Sequence, residues 1–124
     1  MTTYKTNIES QVGTAIVTQT QVAPGGGVAL SADEIYSGSI EIFAVVIDNS
    51  LNTEISYLKM WTAAPNIGTT VPTVILKVDA AVKVQYSFDT GIEMSAIHAA
   101  VVTTAGTAGA TAPSGTMTIN YLLG

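Results

Sequence analysis

AVKVQYSFD, Ala81 to Asp89, decides the fold. Val82, Val84, Tyr86 and Phe88 alternate with Lys83, Gln85, Ser87 and Asp89. Neighbouring side chains of an extended strand point to opposite faces of a sheet, so this period of two describes a strand with one core face and one wet face. TMTINYLLG repeats it, with Met117, Ile119 and Tyr121 set against Thr116, Thr118 and Asn120. In TVILKVD, Val74, Leu76 and Val78 face inward while Lys77 and Asp79 face out. SIEIFAVVIDN differs, with Phe43, Val45 and Ile47 on one apolar face and Ile42, Ala44 and Val46 on the other. Such a strand is expected to be central and covered on both sides, one of them by a neighbouring subunit.

Further strands are expected in TAIVTQTQV from Thr14, EISYLKMW from Glu54 and SAIHAAVVTT from Ser95. Turn residues punctuate the runs: PGGG at Pro24–Gly27, DNSLN at Asp48–Asn52, DTG at Asp89–Gly91 and AGTAGATAPSG at Ala105–Gly115. Ser31 followed by Glu34 resembles a capping box and predicts a short helical turn over Ser31–Tyr36. Short strands at this spacing, about seven or eight of them, predict an all-β antiparallel β-sandwich or jelly roll. The 124 residues form one domain. Residues 1–12 are more weakly patterned and read as an N-terminal arm that orders on a neighbour.

The formal net charge is −5, from 4 Lys and Arg against 9 Asp and Glu. No basic cluster offers itself to phosphates, which argues against nucleic acid as a partner. Only 10% of residues are charged, against about 25% in ordinary soluble domains. Ser10–Ala32 and Met94–Gly124 contain no Asp, Glu, Lys or Arg. Uncharged surfaces rich in Thr, Ala and Gly suit burial against other subunits, so a homo-oligomer is expected; the alternative is a robust monomer coated in threonine. No apolar run approaches the ~20 residues that span a bilayer, and no basic region leads into an apolar one at the start. The chain therefore reads as made in the cytoplasm, with no membrane partner.

Chemistry finds few handles. Cysteine is absent, which removes disulfides, thiolate nucleophiles and thiolate metal sites together. His98 is the only histidine, so neither a His-His zinc site nor a Ser-His-Asp relay with a spare base can be built. Its expected place is half-buried or at a subunit contact, where it would make that contact pH-sensitive. Asp48, Asp79 and Asp89 stand where strands meet turns and suit turn hydrogen bonding. PGGG lacks the strand-loop-helix setting and the following Lys of a phosphate cradle. No catalytic residue, metal ligand or cofactor site is expected, and the chain reads as a non-enzyme. Tyr57 and Trp61 share one face of a strand, where they would pack in the core or at a contact, or stack on a sugar ring.

YLKMWTAAPNIGTTVPTVILKV, Tyr57 to Val78, adds a family likeness. Asn49 in a turn, Tyr57 and Lys59 on the next strand, and the loop Pro65, Gly68, Thr69 and Pro72 lead into Val74–Leu76. Tyr86, Phe88, Gly91, Ile92 and the closing INYLL at Ile119–Leu123 follow. From Asp48 on, this pattern resembles small bacteriophage virion proteins. The resemblance implies a non-enzymatic jelly-roll or sandwich protein of the virion, most often a head decoration or cement subunit. Its partner would be the major capsid protein or another virion protein, and the resemblance favours a trimer seated at the three-folds of the lattice. The alternatives are a small tail or baseplate component, or a receptor- or carbohydrate-binding module. Tyr57, Trp61, Pro65, Pro72 and His98 are the expected subunit or partner contacts, with Ala63–Val71 a loop stiffened by its prolines.

Overall fold

The alternation in the last strand is realised directly: Met117, Ile119, Tyr121 and Leu123 are buried, while Thr118, Asn120 and Leu122 between them are half-buried. A computed structural model describes residues 15–124, so the arm expected over residues 1–12 lies outside the described residues. The strands are β1 (Ala15–Gln21), β2 (Asp33–Asp48), β3 (Ser56–Trp61), β4 (Val74–Val78), β5 (Lys83–Val102) and β6 (Met117–Leu123). They form one open antiparallel sheet in the order β1-β6-β2-β5-β3-β4.

Four expectations change. The described residues hold six strands, because AVKVQYSFD and SAIHAAVVTT are one 20-residue strand, β5. DTG does not end that strand. It lies in a bulge, where β2 advances from Ile42 to Ala44 while β5 advances from Ile92 to Ser87. The helical turn over Ser31–Tyr36 is absent, since β2 already runs from Asp33 with Glu34 paired to His98; ladder pairing outweighs a local cap signal. The two faces of SIEIFAVVIDN also differ from simple alternation. Phe43 is the extra residue between Ile42, opposite Leu123, and Ala44, opposite Leu122. A bulge reverses the in-out parity, so Ile42 joins Val45 and Ile47 in the core.

The bulges let the sheet curl. Neighbouring strands lie ~4.8 Å apart, so β1 and β5, three positions apart in the order, would be about 14 Å apart in a flat sheet. Yet Gln21 Nε2 donates to the Val101 carbonyl at 2.8 Å and Val101 N–H donates to Gln21 Oε1 at 2.8 Å. Gln19 Nε2 likewise donates to the Ala99 carbonyl at 3.0 Å. β2 begins at Asp33, opposite Ala99; Gln19 meets β5 at that end, and beyond it the Gln21 amide takes the place of the missing strand. The curl encloses one core in which Ile42, Leu58, Met60, Ile97, Ile119 and Tyr121 meet from four strands.

Candidate functional site

Tyr57, Trp61 and His98 do come together. β3 lies beside the end of β5, with Trp61 opposite His98, Lys59 opposite Ala100 and Tyr57 opposite Val102. Leu58 and Met60 point into the core, so Tyr57, Lys59 and Trp61 share the opposite face. That face is covered by the protein's own loops. Trp61 is only 2% exposed, and its Nε1–H donates to the Thr70 carbonyl at 3.0 Å in the loop that carries Pro65 and Pro72. The indole therefore offers no ring face to a sugar or a partner. Tyr57, Pro65, Pro72 and His98 are half-buried. His98 Nε2 stands 3.8 Å from Glu34 Oε2.

Lys59 is the residue the sequence reading missed. It is 0% exposed, and its ammonium donates to the carbonyls of Gly106 at 2.6 Å and Gly109 at 3.2 Å. Burial lowers its pKa. Two carbonyls of the Ala/Gly/Thr loop thus converge on one cation, and this loop is fastened over β3. Gly68 approaches Ala108 and Ala110 across it, so the two loops make a single cover. Lysine is rarely buried without a carboxylate, which is why nothing in YLKMW announces this role.

A second network, also unforeseen, locks the turn after β2. Asn49 Nδ2 donates to the carbonyls of Glu54 at 2.9 Å and Asp79 at 3.0 Å. Asn52 Nδ2 and Ser56 Oγ donate to Asn49 Oδ1 at 3.0 and 3.2 Å, and Gly115 N–H donates to Asn52 Oδ1 at 2.6 Å. All three side chains are buried. Their hydrogen bonds tie together three connections of the chain, as buried polar groups require. Asp48 at the same turn accepts from Ser50, which holds its carboxyl below the usual range.

Two hollows flank the segment Ala29–Ser31. One of about 410 Å³ lies between that segment and Ala64–Ile67, with Pro65 in its wall. The other, about 350 Å³, lies between it and Thr20–Val22, near Asp33. Among the described residues, no group of three or more His, Cys, Asp or Glu side chains is placed to hold a metal ion. No helix among them is long and apolar enough to cross a membrane.

The remaining surface of note is the outer face of β1, β6, β2 and the start of β5. Its cross-strand rows read Ile16-Leu122-Ala44-Ser87, then Thr18-Asn120-Val46-Gln85, then Thr20-Thr118-Asp48-Lys83. The first two rows carry no charge, and between them lies a shallow hollow of about 180 Å³ lined by Ile16, Ala44, Val46 and Leu122. Comparison with family models, with curated proteins and with solved structures finds no match for this chain.

Proposed function

We propose that the protein is a non-enzymatic structural subunit that binds other protein subunits through an uncharged sheet surface. One observation carries this. The two stretches without Asp, Glu, Lys or Arg, Ser10–Ala32 and Met94–Gly124, are far apart in sequence, but β1 pairs with β6 along all seven of its residues. Their pairing merges two neutral segments into one neutral surface. Charged groups are depleted at the centres of protein interfaces, because desolvating them is costly, so a large neutral surface on an acidic chain suits a permanent contact.

Together with the loop resemblance, this supports a bacteriophage virion protein, of which a head decoration or cement subunit is the best-supported kind. The curled sheet is read as an open variant of the sandwich or jelly-roll architecture, its two halves acting as the layers. Each copy would bind the coat lattice weakly, and repetition across a symmetric shell would make the whole contact strong. Purified protein added to heads that lack it should raise the temperature at which they rupture, with about one copy retained per binding site of the lattice. An unchanged rupture temperature, or only a handful of copies per particle, would move the protein off the head and towards a tail role.

A further inference from the structure

We propose that β1 pairs antiparallel with β1 of a second copy, about a two-fold axis through Thr18, so that the sheet continues across both chains. This stands whether or not the protein belongs to a virion. β1 is terminal in the strand order, and the backbone N–H and C=O groups on its outer side have no ladder partner among the described residues. Such an edge is a template for another strand, and proteins that remain single usually guard it with charge, proline, a bulge or shortness.

The opposite edge has those guards. β4 is five residues long, carries Lys77 and follows closely on Pro72. β1 has none: it runs seven residues, AIVTQTQ, without charge or proline, and meets β6 with no shift of register. Its outward residue Ile16 is 71% exposed.

Charge selects the partner. Two copies each bearing a net −5 repel one another over most of their surface. At β1 they meet inside the neutral stretch, backed by neutral β6, so no carboxylate faces a carboxylate. A strongly basic or acidic partner would find nothing there to pair with. The strand also complements itself. A two-fold at its midpoint sets Thr18 opposite Thr18, Ile16 opposite Thr20 and Val17 opposite Gln19, which places apolar methyl groups beside the exposed isoleucine. A contact of this kind uses the same patch on both chains and closes at two, not at the trimer that the virion resemblance favours.

The mass in solution, followed by light scattering through a dilution series, tests this. The wild type should be a dimer. Thr18→Lys sets two ammonium groups opposite each other and should weaken the dimer at least about tenfold, as should Thr18→Glu. Mixing these two variants should restore a heterodimer, while Ile75→Lys on β4 should leave the dimer intact. Because the chain has no cysteine, oxidised Thr18→Cys should yield one covalent dimer, and this decides the matter if the charged variants misfold by circular dichroism. A monomeric wild type, as when residues 1–14 of the same chain cover the edge, overturns the proposal. So does a trimer, a dimer indifferent to Thr18→Lys, or a mixture that fails to pair.

Discussion

Gln21 is a side chain acting as backbone. Its amide gives Val101 the donor and acceptor that a neighbouring strand would supply. Gln21→Leu keeps most of the volume but leaves two buried backbone groups unpaired, and should cost about 2–4 kcal/mol in urea unfolding. Lys59 and Tyr121 set the alkaline behaviour. Lys59 has its pKa lowered by burial from 10.5, so the unfolded chain holds that proton to higher pH than the folded one. Stability should therefore rise as pH climbs through the folded pKa towards 10.5. Tyr121 has its pKa raised, first by burial and then by the charge of Asp33, from 10.0. The unfolded chain loses that proton first, so stability should fall above 10.0. Urea midpoints measured between about pH 8 and 11 should trace a rise and then a fall. Lys59→Met should abolish the rise, and Tyr121→Phe should blunt the fall.

At the scale of elements, the bulge and the two covering loops govern the shape. Gly91 has φ +79° where β5 bends, and a Cβ there would lie 3.1 Å from Phe43 Cε1 and 3.2 Å from Glu41 Cβ. Gly91→Ala should cost about 1–3 kcal/mol in a thermal melt, whereas Gly106→Ala, with open space around it, should stay within about 0.5 kcal/mol. Loop 103–116 should become the first site of limited proteolysis in Lys59→Met, because its carbonyl anchor is gone. Strands were legible wherever one face is dry and the other wet: β6, β4 and the first half of β5 follow their alternation. The bend was not. Asp89–Gly91 has turn chemistry, and only pairing with a distant strand shows that the chain continues through it. Phe43, read as a face-mate of Val45 and Ile47, proved the extra residue of a bulge for the same reason, since a bulge is a property of two strands. The buried polar groups were least visible. Gln19, Gln21, Asn49 and Lys59 look like wet-face or turn residues until the partners that satisfy them arrive from far along the chain. Trp61 shares one face of β3 with Tyr57, as the alternation predicts, but that His98 lies opposite Trp61 follows only from strand pairing, and the loops covering that face come from segments that carry no periodic signal.

For the whole molecule, the neutral surface and the unguarded edge are separate features with separate tests. Loss of the β1 dimer would leave capsid stabilisation to be judged on its own, and failure of stabilisation would leave the dimer untouched. The strand order has a further consequence, in time rather than in space. β6 lies between β1 and β2, so the last strand of the described chain joins the first two. Until Leu123 has left the ribosome, β1 has no ladder and β2 lacks one neighbour. A chain ending at Thr116 should stay unfolded by near-ultraviolet circular dichroism, and the peptide Met117–Gly124 supplied in trans should restore the signal. Pairing across such a separation in sequence makes folding slow, in the range of milliseconds to seconds. Folding is thereby tied to the order of synthesis: a chain that lacks β6 cannot display the finished β1 edge.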